Sequence, residues 1–315
     1  MVEIVLLCLG LFGLWASTEL AIQGALRISE YFGLSQMFIG LTILAFGTDL
    51  PELVVSVSGA IRNLYGIESS GVIVGNAVGS SLCQISIVLG TAAICHQLTV
   101  QRRQIGGLSF GLLGSCVLLF LVGLPGFVWR PGGIVLVSVF IGYLVVLYRR
   151  ERDGRESERV TDRKQGPIWR GWIFVVVGLA VLIFSSELVV QKALQIVERF
   201  DIRQSFVGAV IVAFGTSLPE LALTVTAALK NKPGLSLGNI VGSNVFDCLI
   251  PVGVAACIAP LEFDRTILRF DLPYLFVVSG VFTWFLCRRA KLHRHEGAWL
   301  CVLYFVYVAL KIGAE

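Results

Sequence analysis

Charged residues are scarce in this sequence, and their scarcity decides the class of protein. Asp, Glu, Lys and Arg make up 15% of the 315 residues, against about 25% in ordinary soluble domains. The mean hydropathy is +0.84, and apolar stretches of roughly 20 residues recur, long enough to cross a hydrocarbon core of about 30 Å. These features exclude an ordinary soluble domain and predict an all-α polytopic membrane protein.

Histidine is also scarce, and cysteine is not arranged in metal-binding pairs. The three histidines, His96, His293 and His295, lie in or beside polar loops, which argues against a zinc or iron carrier. The eight cysteines lie mostly in apolar segments without CxxC spacing, so packed thiols are expected, with no disulfide and no cofactor. No serine, histidine or metal motif indicates an enzyme. Basic loops account for the net charge of +4, so no nucleic-acid partner is expected.

Apolar runs, and the glycine, proline and polar residues that separate them, predict ten transmembrane helices. The first segment begins without a basic residue and carries Glu19, so we interpret it as a retained span and not as a signal peptide. The one long polar connector, 149–170, holds eight of the 25 Lys and Arg residues and is predicted to be a cytoplasmic linker; a regulatory role is the alternative. The predicted spans are approximately 4–26, 37–61, 71–95, 107–124, 131–148, 170–192, 205–229, 236–259, 270–287 and 297–314.

With this connector in the cytoplasm, both termini lie outside it. The cytoplasmic loops then carry 17 of the 25 Lys and Arg residues, in agreement with the preference of basic residues for that side. A short chain without a regulatory domain is typical of a prokaryotic cell membrane, where we expect a multi-pass protein that functions as a monomer.

The two halves of the chain repeat each other. A shift of 168 places "AFGTDLPEL" (45–53) over "AFGTSLPEL" (213–221), and Glu19 over Glu187. The same shift matches Gln36 with Gln204 and Gly40 with Gly208, and a shift of 163 places "GNAVGSSLCQ" (75–84) over "GNIVGSNVFD" (238–247). The sequence therefore predicts two homologous five-helix repeats, 1–148 and 170–315, joined by the linker 149–169. Because five is odd, the second repeat is inverted in the membrane, an arrangement typical of transporters with a site near the midplane.

Four carboxylates lie deep in the predicted spans: Asp49, Glu52, Glu220 and Asp247. Each costs about 2.5–3.5 kcal/mol at the bilayer centre, or on the order of 10 kcal/mol together. No Lys or Arg lies in these segments, so bound cations or protons must compensate them. The alternative is that protonated carboxylates join neighbouring helices.

The residues around these carboxylates supply further oxygen ligands. Pro51 and Pro219 lack an amide hydrogen and so free a carbonyl one turn back. Hard cations such as Ca²⁺ and Na⁺ prefer an all-oxygen shell of this kind. Gln84 and Asp247 follow Ser80 and Ser243 by four residues, which puts each pair on one helix face. The hydroxyls are those of Thr48, Thr216, Ser217, Ser80 and Ser243.

Two further sets of residues are matched between the halves. Glycines 75, 79, 238 and 242 are predicted to let helix backbones approach closely. Glu19 and Glu187 lie toward the ends of spans one and six, where an interfacial or capping role is favoured over ion binding. A part in gating is the alternative.

The paired motifs resemble the two alpha-repeats of the calcium/cation antiporter superfamily, and most of all its prokaryotic sodium/calcium exchangers. The resemblance covers essentially the whole chain and implies that Glu52 and Glu220 are the central ligands, holding Ca²⁺ or Na⁺ in turn. It also implies that spans one and six slide as a gate and that the backbone carbonyls of Ala45 and Ala213 complete the shell. The flanking ligands that it implies are Thr48, Ser80, Gln84, Thr216, Ser217, Ser243 and Asp247.

Two positions depart from the pattern of that superfamily. Asp49 stands where a small hydroxyl residue is typical, and Gln84 stands where asparagine or aspartate is typical. The longer glutamine should reshape one flanking site. Asp49 either adds a proton or a monovalent cation to the site, or faces the mouth of the cavity.

These observations predict a secondary antiporter that exchanges Ca²⁺ for Na⁺ by alternating access. The alternative within transport is a Ca²⁺/H⁺ antiporter in which Glu52, Glu220 or Asp49 carries the proton. The expected partners are these cations and the lipid bilayer. A channel, a catalytically silent membrane protein and an intramembrane enzyme are the alternatives from other classes. Inverted repeats favour alternating access over a channel, and no serine, histidine or metal-binding motif supports an enzyme.

Overall fold

The computed structural model describes residues 2–157, 167–198 and 217–314, and within them the chain is almost entirely helical. Four strands of two residues each interrupt the loops: β1 (Leu98–Thr99), β2 (Phe127–Val128), β3 (Leu261–Glu262) and β4 (Lys291–Leu292). The helices are α1 (Val2–Phe32), α2 (Gln36–Thr48), α3 (Leu50–Leu64), α4 (Ser70–Cys95), α5 (Arg102–Gly123), α6 (Arg130–Ser157), α7 (Ile168–Glu198), α8 (Leu218–Leu229), α9 (Pro233–Ile258), α10 (Ile267–Arg289) and α11 (Arg294–Ala314).

The prediction of an all-helical membrane protein is confirmed. Seven of the described helices (α1, α4, α5, α6, α7, α9 and α10) are long and apolar enough to cross a membrane, and the bent pair α2–α3 makes an eighth candidate. The predicted seventh span, 205–229, begins outside the described residues, and α8 covers its last 12 residues. Helix α11 coincides with the predicted tenth span, 297–314. The described residues thus establish a helical membrane protein with up to eight spans, and the full count of ten stays a prediction.

Span two is broken at Asp49, as its proline predicts. Asp49 leaves the helical conformation (φ −85°, ψ 4°), Pro51 lies at the start of α3, and the two helices meet at a bend of 46°. Proline suits the first turn of a helix because its missing amide hydrogen has no partner there. In the second repeat, Ser217 has nearly the same conformation (φ −94°, ψ 9°), and Pro219 again lies at the start of α8. Each of these helix starts therefore puts a glutamate, Glu52 or Glu220, in the first turn.

Helix α9 is the centre of the bundle. It is the most buried of the candidate spans and packs against α2, α3, α4, α5, α6 and α8. A Cβ atom added at Gly238 would lie 2.4 Å from the carbonyl oxygen of Met37, and one added at Gly242 would lie 2.6 Å from that of Leu41. The predicted close backbone approach is thus confirmed for these two glycines. For Gly75 and Gly79, the shift of 168 puts the matching contacts at 205 and 209, outside the described residues.

Helices α1 and α7 pack along each other and supply most of a second hydrophobic cluster, which also includes residues of α2, α8 and α9. Small residues line their seam: an added Cβ at Gly178 would meet the backbone of Ala21, and one at Gly24 would meet the backbone of Val175. Such residues allow helix backbones to approach without interlocking large side chains. The two helices that the resemblance assigns to the gate therefore pack closely on each other, and they also contact α2 and α8.

Two short antiparallel β-ribbons join loops of the first half to loops of the second. Strand β1 pairs antiparallel with β4, and β2 pairs antiparallel with β3. The shift of 163 carries β1 onto β3 and carries β2 to within one residue of β4. The two ribbons are therefore equivalent by the repeat: β1 of the first half corresponds to β3 of the second, and β2 of the first half corresponds to β4 of the second. The predicted topology puts both strands of each ribbon on one side of the membrane.

The polar connector begins as a helix. Helix α6 continues to Ser157, about two turns past the predicted end of span five at residue 148. On this extension, the carboxylate of Glu151 accepts hydrogen bonds from the amide of Ser35 and, at 3.0 Å, from its hydroxyl. Ser35 is the N-cap of α2. Glu151 of the connector is therefore hydrogen-bonded to the residue at which the broken span begins.

Candidate cation-binding site

Three of the predicted carboxylates lie together where the starts of α3 and α8 meet. Asp49 is at the break between α2 and α3, and Glu52 and Glu220 are in the first turns of α3 and α8. One oxygen of each lies within 4.8 Å of one oxygen of the other two, and all three side chains are fully buried. Two segments 168 residues apart thus form one acidic cluster, of which Asp49 is a fully buried member.

This acidic cluster has no compensating partner among the described residues. None of the six oxygens of Asp49, Glu52 and Glu220 has a hydrogen-bond partner there. The ion pairs of the described ranges, such as that of Lys311 with Asp271, lie elsewhere. The positive ends of the α3 and α8 dipoles offset only part of the charge. Burying unpaired carboxylates costs several kcal/mol each, so the cluster is suited to cations.

Asp247 lies on α9 and is joined across the bundle to Gln84 on α4. The amide nitrogen of Gln84 donates to Asp247 Oδ2 at 3.1 Å, and its carbonyl oxygen accepts from Asn244 Nδ2 at 3.1 Å. Gln84 also begins a π-helical turn, Gln84–Val88, a distortion often found at functional sites. Both ends of the glutamine amide are therefore engaged, while Asp247 Oδ1 lacks a hydrogen-bond partner in the part of the chain described.

Four of the five predicted hydroxyl residues lie in the described part of the chain, and all four are buried. Thr48 Oγ1 donates to the carbonyl oxygen of Ala45 at 3.2 Å, which fixes both potential ligands at the end of α2. Ser217 and Ser243 are buried with no hydrogen-bond partner for their hydroxyls among the described residues, and Ser80 is buried as well. Thr216, Ala213, Gln204 and Gly208 lie outside the described residues.

Three buried polar residues were missed by the sequence prediction. Asn244 bridges to Gln84, and its counterpart by the shift of 163 is Ser81, so the search for matched residues passed over it. Ser56 and Thr224 lie four residues after Glu52 and Glu220, on the same helix faces, and both are fully buried. That spacing was the signal that could have identified them.

Glu19 and Glu187 lie outside this cluster and have similar local surroundings. Each accepts a hydrogen bond at 2.8 Å, from the side-chain nitrogens of Gln23 and Gln191 respectively. Glu19 is also in an ion pair with Lys230, at the end of α8. Both glutamates are thus placed apart from the candidate ligands.

The donor set decides which ions the site could hold. Its carboxylate, hydroxyl, amide and carbonyl oxygens are hard ligands, and Ca²⁺ takes six to eight such oxygens. No histidine or lysine belongs to the described part of the cluster. The arrangement can hold Ca²⁺, or Na⁺ ions in its place.

Comparisons with known proteins agree with this chemistry. The sodium/calcium exchanger protein family matches residues 2–149 and 170–313. An uncharacterized membrane protein of Methanocaldococcus jannaschii is 31% identical over 306 residues, 97% of this chain and 97% of the relative. The sodium/calcium exchanger MaX1 of Methanosarcina acetivorans is 25% identical and covers 98% of both chains. A solved structure of the sodium-calcium exchanger NCX_Mj, soaked with Na⁺ and Sr²⁺, superposes with a TM-score of 0.84 at 29% identity, over 98% of both chains. The chain belongs to the sodium/calcium exchanger protein family.

Proposed function

We propose that this cation antiporter of the sodium/calcium exchanger type exchanges Ca²⁺ for Na⁺ across the cell membrane by alternating access. The observation that carries the proposal is the acidic cluster: three fully buried carboxylates from both repeats, with six oxygens that lack partners in the described structure. A family relative named as a sodium/calcium exchanger and the soaked NCX_Mj structure support Na⁺ and Ca²⁺ as the two substrates.

The proposed ligands follow from the two broken segments and the helices beside them. Glu52 and Glu220 are central, because each begins a helix that points its positive end at the bound ion. Asp49 adds a third carboxylate and Asp247 a fourth. The remaining ligands of the proposal are the side chains of Thr48, Ser80, Gln84, Thr216, Ser217 and Ser243 and the carbonyls of Ala45 and Ala213.

Electrostatic repulsion makes the exchange mechanism concrete. Two carboxylates about 5 Å apart repel by roughly 3 kcal/mol at an effective dielectric of about 20, so three such pairs cost on the order of 10 kcal/mol without ions. The protein can therefore change the side from which the site is open only when cations neutralise it. Ca²⁺ and Na⁺ compete for the same oxygens, so binding of one drives release of the other, and exchange follows.

Ten spans in two inverted repeats are the architecture that we propose for this mechanism. The matched motifs, the equivalent helix starts at Leu50 and Leu218, and the two equivalent ribbons support it. In this arrangement the gate helices α1 and α7 expose the midplane site to one side at a time. Both termini lie outside the cytoplasm, and one chain contains the whole site, so a monomer suffices.

Proton coupling is the second candidate, and Asp49 is the observation that favours it. Its carboxylate is buried with two others and lacks a hydrogen-bond partner among the described residues, and a proton could neutralise it as well as a cation could. In this alternative, Ca²⁺ is exchanged for H⁺ through the same carboxylates.

Uptake of ⁴⁵Ca²⁺ into proteoliposomes separates the two candidates. An outward-directed Na⁺ gradient should drive uptake at constant pH, and a pH gradient without Na⁺ should not. Uptake that follows the pH gradient and ignores Na⁺ would refute Na⁺ coupling. The matched control is Glu30→Gln, an exposed glutamate near the end of α1, which should leave uptake unchanged.

A further inference from the structure

Four charged residues outside the cation site form two equivalent pairs of opposite charge. The shift of 168 that carries Glu19 onto Glu187 also carries Arg62 onto Lys230. Glu19 lies on α1 and Glu187 on α7, the two gate helices. Arg62 lies in the last turn of α3, and Lys230 directly follows α8. By this symmetry, a contact between Glu19 and Lys230 has one counterpart, a contact between Glu187 and Arg62.

The first couple is formed in the structure. The Glu19 carboxylate contacts the Lys230 ammonium group and also accepts a hydrogen bond from Gln23 at 2.8 Å. Helix α1 packs directly against α8. The side chains of Glu19 and Lys230 are 29% and 38% exposed, so the contact is not locked inside the core. We call it the inner latch, because the predicted topology puts Lys230 on the cytoplasmic side.

The second couple is not formed. Glu187 accepts a hydrogen bond from Gln191 at 2.8 Å, as its counterpart does from Gln23, so its local geometry is the same. Arg62, however, makes no ion pair with any residue in the described ranges, and both Arg62 and Glu187 are exposed. We call this couple the outer latch, because the predicted topology puts Arg62 on the outer side.

The packing of α1 against α7 links the two couples. The two helices meet along a seam of small residues and contact each other far more extensively than they contact α2 or α8, so we expect them to move together. In inverted repeats, a displacement that separates Glu19 from Lys230 at one face is related by symmetry to one that brings Glu187 toward Arg62 at the other. One latch should therefore open when the other closes.

We propose that the inner and outer latches are positioning residues of the exchange cycle, each holding the α1–α7 unit in one of its two end states. The proposal rests on the alternating-access function proposed above. An exposed ion pair shifts an equilibrium by about two- to fivefold, which suits a contact that must break in every cycle. The described state has the inner latch closed and the outer latch open, which corresponds to a site closed toward the cytoplasm.

Disulfide crosslinking tests the reciprocity directly. In a Cys8→Ser, Cys287→Ser background, which removes the two exposed cysteines, one variant carries Glu19→Cys with Lys230→Cys and a second carries Arg62→Cys with Glu187→Cys. A third carries all four substitutions. After oxidation of the purified protein in liposomes, mass spectrometry counts the crosslinks per molecule.

We expect each two-cysteine variant to form its crosslink and to lose at least about tenfold of its Ca²⁺ uptake until it is reduced. The four-cysteine variant should contain either crosslink but not both in one molecule. Molecules with both crosslinks, or an outer pair that never crosslinks in Na⁺, in Ca²⁺ or without either, would overturn the proposal. Crosslink yield is measured without transport, so it stays informative if the coupling ion is not Na⁺.

Charge exchange provides a second test that needs no oxidation. Glu19→Lys and Lys230→Glu should each slow uptake by about two- to fivefold, and the double variant should restore it. Glu30→Lys, on the same helix, is the matched control and should have no effect. A double variant no faster than the slower single variant would show that Glu19 has only an interfacial or capping role.

Discussion

The starts of α3 and α8 have nearly the same backbone and different chemistry. Asp49 and Ser217 occupy equivalent positions, and their φ and ψ angles differ by less than 10°. Each precedes a proline and a glutamate at the start of a helix. Asp49 adds a carboxylate to the acidic cluster, whereas Ser217 offers a hydroxyl. The repeat thus preserves the helix start that presents Glu52 and Glu220, while the residue before each helix differs in charge.

The largest effect is expected where the two repeats are identical. Glu52→Gln and Glu220→Gln should each reduce ⁴⁵Ca²⁺ uptake by more than about 100-fold, because loss of one charged ligand of a buried ion costs about 3–5 kcal/mol. Equal losses would show that the two glutamates are equivalent in the cycle. Substantial uptake in either variant would contradict the proposed site, and Glu30→Gln again provides the control.

The position that differs between the repeats should have the second largest effect. Asp49→Ser makes the two segments alike and removes one of three clustered charges, so Ca²⁺ affinity should fall by about 10- to 100-fold, in line with a pair energy of roughly 3 kcal/mol that is partly screened. Na⁺ affinity should fall less, because a monovalent ion loses half the attraction. The measurements are the Ca²⁺ dependence of uptake and the reversal potential.

Moving the aspartate to the other repeat sharpens this comparison. Ser217→Asp in the Asp49→Ser background restores the charge at the equivalent backbone position. Recovery of Ca²⁺ affinity would show that only the number of carboxylates matters. No recovery, with folding intact, would show that Asp49 acts through its own place in the first repeat. Unchanged affinity and coupling ratio in Asp49→Ser would make Asp49 a bystander.

The repeat explains which parts of the site the sequence could predict. Glu52, Glu220 and most hydroxyls were predicted because they recur in both halves, whereas Asp49 and Asp247 were predicted because they are charged residues in apolar segments. The prolines predicted the helix starts that present the two glutamates. Asn244 was missed because Ser81 stands at the matching position. The partners of Gln84 could not be foreseen either, since the bonds to Asp247 and Asn244 depend on how α4 packs against α9.

The fold was predicted to a similar extent and for similar reasons. Long apolar runs fixed the helices, and nine predicted spans coincide with described helices to within several residues. The extension of α6 to Ser157 was not foreseen, because a segment rich in Arg and Glu is equally typical of a linker and of an exposed helix. The contact of Glu151 with Ser35 favours the helix, and only tertiary structure reveals it.

Gln84 and Asp247 form a second pair of equivalent residues with different chemistry, and changing Gln84 should have an intermediate effect. Gln84→Asn shortens the side chain and breaks its bonds to Asp247 and Asn244, at a cost of about 1–3 kcal/mol. Ca²⁺ affinity should fall by about tenfold. Ser81→Ala is the matched control, since that hydroxyl on the same helix contacts Cys248. An equal or larger loss in the control would show that any repacking of α4 has this effect.

The smallest effect is expected at the contact that only the first repeat can make. The carboxylate of Glu151 holds the amide and hydroxyl of Ser35 at the start of α2, whereas the shift of 168 puts Arg203 at the position equivalent to Ser35. Glu151→Gln should lower stability by about 0.5–1.5 kcal/mol, the range for one hydrogen bond, with little change in transport, because the hydroxyl of Ser35 still caps α2. Thermal unfolding in detergent measures this loss against Arg152→Gln, an exposed neighbour. If uptake falls while stability is unchanged, the connector acts on the broken span during the cycle, and the asymmetry between the repeats extends from the site to its regulation.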